Sequence, residues 1–167
     1  MARRTLIPLD SQPQHAQALG RLLGHWGICE HNLCAILGNI LGVEDHKARF
    51  IWAAFPSFAA KQKLLRRLNH HYTVNEVAKS SLEALLVQAA KFNSQRNACV
   101  HAIWTAGGKD KLGQLNESQS HMVKHSHFKI VEVHEILALV EELSLFSGSL
   151  EEWRLRGQGM FGGWSEH

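Results

Sequence analysis

The chain has 167 residues, 45% of them hydrophobic and 20% charged, which excludes a disordered polypeptide and points to one domain around a single core. Formal net charge is +3 with a pI near 8.9, compatible with an anionic partner but too small by itself to specify nucleic acid. The three cysteines, Cys29, Cys34 and Cys99, sit in apolar helical patterns without Cys-x-x-Cys spacing and read as reduced core thiols. No run approaches the ~18 apolar residues of a membrane span, and the basic start lacks the apolar segment of a signal peptide. The expectation is a soluble, cytoplasmic protein with no membrane partner.

Residues 1–13 read as an extended arm, with Pro8 and Pro13 opposing early helix. From Gln14 to about Gly42, apolar residues from Leu19 to Leu41 recur at three- and four-residue steps, predicting a long amphipathic helix. Gly20, Gly24 and Gly27 follow a small-residue spacing, which is either a close helix contact or incidental. Gly42 ends the helix. A shorter one is expected over Val43–Phe55, and another from Ser57 to about His71 with Leu64, Leu65 and Leu68 inward. Lys61, Lys63, Arg66 and Arg67 on that helix form the densest positive patch, either a solvated face or a contact for an RNA backbone.

The next helix is expected near Val74, with Thr73 or Asn75 as cap, running through Leu82, Leu86 and Phe92. Thr105–Ser126 lacks a sustained period and reads as a long loop, or a hairpin of Lys111–Leu115 with Met122–Lys129. A last helix follows over about Val131–Trp153, with Gly148 as a potential kink. The tail from residue 156 is glycine-rich, and its Met160, Phe161 and Trp164 need another surface. The fold expected is all-α, with a long loop or small hairpin before the last helix. Its domain spans residues 14–155.

The stretch Lys91–Trp104 concentrates chemistry. Arg96, Asn97 and His101 stand in the order Arg-Asn-x-x-x-His near the expected end of the long helix. At about 100° per residue Asn97 and His101 share a face, with Trp104 on the same stripe, while Arg96 lies roughly 140° from His101. Arg96 and His101 therefore meet on one target only through the long arginine stem, a distorted helix end or a second copy of the chain. The imidazole can act as acid or base near neutrality, the guanidinium can chelate phosphate oxygens and the amide can orient either.

These residues, with a long helix before the motif and a final helix after a loop, resemble the HEPN superfamily and its Arg-x(4–6)-His signature. The resemblance covers about residues 14–155. Ala102 departs from the glycine that many relatives carry after the histidine, which suggests that the helix continues. The resemblance implies a four- to five-helix up-and-down bundle, a homodimer that brings two motifs together, and metal-independent cleavage of single-stranded RNA by the ribose 2′-hydroxyl, with Arg96, Asn97 and His101 as catalytic residues. The family often carries a polar or acidic residue on its first helix near the site, for which Glu30 and Asn32 are the candidates here. Such domains are commonly toxins or defence nucleases beside an antitoxin or nucleotidyltransferase partner. The rival reading is a non-catalytic dimer that binds nucleotide, RNA or a protein. A third is purely structural, with Arg96 paired to a carboxylate such as Glu30.

The remaining patterns carry less. His121, His125 and His127 could converge on zinc, but they lie in an expected loop without cysteine and read as solvated, as do His70 and His71. No metal or cofactor is expected. Trp26, Trp52, Trp104 and Trp153 fall on apolar stripes and read as packing residues, with Trp104 the best placed to stack on a base. The absence of a phosphate-binding glycine loop, a nucleophile elbow and paired carboxylates argues against kinases, hydrolases of the Ser-His-Asp type and glycosidases.

Overall fold

The computed structural model describes residues 9–101, 103–106, 112–117 and 126–157. A 3-10 turn at Leu9–Ser11 is followed by α1 (Pro13–Leu41), α2 (Asp45–Ala53), α3 (Phe58–Tyr72) and α4 (Glu76–Val100). Strands β1 (Ile103–Ala106), β2 (Leu112–Glu117) and β3 (Ser126–Val131) precede α5 (Val133–Gly157). The fold is the all-α helical bundle that the periodicity predicts, with a small sheet before the last helix.

Local chemistry sets the boundaries. Pro13 does not block α1 but opens it, because a first-turn residue needs no N–H partner and its φ is already helical. Gly42 closes α1 at φ 63°, and the Gly42 and Val43 N–H groups return to the carbonyls of Asn39 (3.3 Å) and Gly38 (3.0 Å), a Schellman motif. Ser57 caps α3 by accepting from the Ala60 N–H (3.2 Å). Asn75, not Thr73, caps α4, accepting from Val77 (2.9 Å) and Ala78 (3.0 Å). Helix α5 runs through Gly148 to residue 157.

The sheet replaces the loop. All three strands are antiparallel in the order β1-β2-β3, with Ile103–Ala106 paired to Leu115–Leu112 and Leu112–Glu117 paired to Val131–Ser126. The expected hairpin thus exists with its strands shifted, and a third strand from the end of the motif joins it. The run Ile103-Trp104-Thr105, β-branched and aromatic, suits a pleated strand better than another helical turn.

Two compact units divide the chain: Met1–Trp26 with Ser94–Ser144, and Gly27–Asn93 with Leu145–His167. In the first, Ala18, Leu19, Leu22 and Trp26 of α1 are buried, as are Val131, Ile136, Leu139, Val140 and Leu143. The buried His15 ring bonds the Val131 carbonyl through Nε2 at 3.2 Å, tying α1 to the end of β3.

In the second unit the core comprises Leu33, Ile36, Leu37 and Ile40 of α1, with Trp52, Leu65, Leu82, Leu86, Phe92, Phe146 and Leu150. Its polar interior follows a rule. Asn32 and Asn39 donate to the Ser147 and Arg154 carbonyls, each at 3.1 Å, so a seven-residue step along α1 matches seven in the same sense along α5. Gln62 and Asn69 donate to the Leu86 (2.5 Å) and Lys79 (2.9 Å) carbonyls, so seven forward on α3 matches seven back on α4. These amide ladders make α1 parallel to α5 and α3 antiparallel to α4, with the heptad period of side-by-side helix packing.

Along α1, glycine acts by closeness at Gly38. A Cβ on Gly38 would meet Ala48 Cβ at 3.2 Å and the Val43 carbonyl at 3.3 Å, so α2 packs tightly there. At Gly20, Gly24 and Gly27 nothing lies within 4 Å, which makes their spacing incidental.

Candidate functional site

Arg96 stands seven residues after Ala89 and fourteen after Leu82, both fully buried, so it continues the core stripe of α4 with a charged side chain. The chain satisfies that charge locally. Its Nη1 donates to Asn97 Oδ1 at 2.6 Å, and its guanidinium carbon lies 5.3 Å from the centroid of the Trp26 ring on α1. The ring is 2% exposed, so the cation rests on a fixed, dry aromatic face. Arg96 Nε is buried without a hydrogen-bond partner among the described residues. His25 Nδ1 and Gln95 Oε1 in the same unit are in the same state.

His101 lies one residue beyond the last residue of α4. Its backbone N–H still bonds the Asn97 carbonyl at 3.0 Å, so the final turn carries the imidazole although the helix has ended. The residue is exposed, and Asn97 and Arg96 are half-buried. The arrangement is an oriented guanidinium–amide pair one turn before a solvent-facing imidazole. It can bind an anion and exchange a proton with it.

Trp104 needs correction. It belongs to β1, paired with Gln114, so the helical stripe that grouped it with Asn97 and His101 ends before reaching it. The helix likewise stops at Val100 rather than continuing past Ala102.

The first-helix candidates have other employment. Glu30 Oε1 is 3.3 Å from Lys61 Nζ, so its ion pair is with α3 rather than with Arg96. Asn32 is 6% exposed and serves as a rung of the α1–α5 ladder. The basic cluster of α3 also divides. Lys61 pairs with Glu30 and sits 5.0 Å over the Trp52 ring, and Arg66 Nε lies 2.8 Å from Glu83 in an ion pair, whereas Lys63 and Arg67 are exposed and have no such ties among the described residues.

His121 and His125 lie outside the described residues, as does the tail with Met160, Phe161 and Trp164. Among the described residues no group of three or more His, Cys, Asp or Glu could hold a metal ion, and no helix is long and apolar enough to cross a membrane. The residue that the sequence undervalued is Trp26. The signal was available, since Trp26 and Arg96 both fall on the core stripes of their helices.

Comparisons with protein-family models, curated proteins and solved structures return no match.

Proposed function

We propose that the chain is a metal-independent endoribonuclease acting on single-stranded RNA, with Arg96 and His101 as the catalytic pair and Asn97 in support. The observation that carries this reading is the coupling of Arg96 to Asn97 at 2.6 Å, one turn from the exposed His101. The ribose 2′-oxygen attacks phosphorus while imidazole removes its proton, and the 5′-oxygen leaves with a proton from an imidazole. Arg96 neutralises the charge that develops on the phosphorane oxygens. The products are a 2′,3′-cyclic phosphate and a 5′-hydroxyl. A homodimer supplies the second imidazole, so that one acts as base and the other as acid. The cytoplasmic setting and an antitoxin or nucleotidyltransferase partner belong to the same reading.

Purified protein should cut single-stranded RNA in EDTA and leave cyclic-phosphate ends. His101→Ala and Arg96→Lys should each lower the rate by roughly 10²-fold, the scale of acid–base or electrostatic catalysis. Intact RNA at high protein concentration overturns the proposal.

One observation favours the non-catalytic alternative. Arg96 already spends one Nη on Asn97 and its face on Trp26, which leaves fewer donors for a phosphorane than a fully presented arginine has. Retained RNA binding without cleavage would select that reading.

A further inference from the structure

In the second unit a cavity of about 370 Å³ opens between α3 and α4, lined by Arg66, Asn69, His70, Lys79, Ser80 and Glu83. Every lining side chain is polar or ionisable. Two cations, an imidazole and one carboxylate line it, a composition open to an anion that takes the place of Glu76 on Lys79. The volume lies in the range of about 300–1,000 Å³ typical of small-ligand sites.

Arg66 is held by one edge. Its Nε lies 2.8 Å from Glu83 Oε1 in an ion pair, and the Nη groups of the fork can serve a second acceptor. Lys79 Nζ contacts Glu76 at 2.7 Å, but that carboxylate is 78% exposed and is readily exchanged for another anion. Asn69 forms part of the cavity wall. It is 2% exposed and its Nδ2 is committed to the Lys79 carbonyl at 2.9 Å, yet its Oδ1 is buried and accepts no hydrogen bond among the described residues. A buried acceptor without a donor is rare in folded proteins.

We infer that this cavity binds a phosphate ester, presented by a free nucleotide or by the backbone of single-stranded RNA. Arg66 and Lys79 take the phosphate oxygens, with His70 and Ser80 as further donors. Glu83 keeps the guanidinium aligned rather than free to collapse on the protein. The site is independent of the chemistry at Arg96 and His101.

The full chain would be titrated with 5′-AMP, with inorganic phosphate and with a fluorescein-labelled single-stranded RNA, following amide ¹H–¹⁵N shifts. Saturable binding of AMP or RNA is expected, with shifts confined to residues 66–70 and 79–83. Lys79→Ala and Arg66→Ala should each weaken it by about tenfold or more, the scale of one charge-assisted hydrogen bond. Both side chains are part-exposed, and circular dichroism verifies their folding. Lys47→Ala on α2 should leave the affinity unchanged. Stronger binding of AMP identifies a free nucleotide, and stronger binding of RNA identifies the backbone. The inference is overturned by affinities insensitive to both substitutions, by shifts elsewhere, by binding of inorganic phosphate alone, or by no saturation with millimolar ligand.

Discussion

The guanidinium of Arg96 rests on the Trp26 ring at 5.3 Å, a contact between α4 and α1 within one compact unit. Desolvated cation–π pairs are worth about 2 kcal/mol, against roughly 0.5–1 kcal/mol at exposed sites. A double-mutant cycle of Trp26→Leu with Arg96→Gln, read by urea denaturation, should return a coupling of about 1–2 kcal/mol. A coupling near zero would mean that the ring does not hold the cation.

The cations of α3 should separate by role. Lys63→Ala with Arg67→Ala should reduce the slope of log affinity against log salt for single-stranded RNA by about 1.4, at roughly 0.7 per lost phosphate contact. Stability should hold within about 0.5 kcal/mol, because neither residue is buried. Lys61→Ala should do the reverse, lowering stability through its tie to Glu30 and Trp52 with little change in that slope. An unaltered slope in the double variant removes this face from RNA binding.

Glycines on α1 offer an internal comparison. Gly24→Ala should stabilise the protein by about 0.5–1 kcal/mol, because helical propensity rises and nothing obstructs the methyl group. Gly38→Ala should show no such gain, since its Cβ would press on Ala48 and the Val43 carbonyl. Thermal melts should place the first variant about 1–4 °C above the parent. Equal melting temperatures for the two variants would contradict the packing at Gly38.

Thiol chemistry should follow burial. Desolvation pushes the Cys29 thiol up from 9.0 to about 12 and raises that of Cys34, while Cys99 is half-buried. At pH near 8 a disulfide reagent should label Cys99 first, with Cys29 and Cys34 following only on unfolding. The raised folded value also fixes a sign. Stability is intact below the ordinary thiol pKa and falls as the pH rises towards the folded one, by about 1.4 kcal/mol per pH unit for each thiol. Three thiols reacting at one rate would refute the assignment.

The helices were legible because their apolar residues repeat with the helical period, and caps such as Ser57, Asn75 and Gly42 mark their ends. The three strands were less so. Their pairing depends on partners far apart in sequence, and glycine at 107, 108 and 113 obscures any alternation. The motif itself was visible, but extrapolating one helical face through residue 104 misplaced Trp104, since nothing local announces the stop at Val100. Asn32 illustrates the hardest case. A polar residue flanking an apolar stripe looks like a surface or site residue until the carbonyl of Ser147, 115 residues away, accounts for it.

The two amide ladders have a mechanical corollary. Advancing one helix past its neighbour, by any part of the roughly 5.4 Å of a turn, would pull both rungs of a ladder from their carbonyls together. The second unit is therefore keyed like a splined shaft. Axial sliding is opposed at two points at once, and α3 and α4 keep the register that frames their cavity.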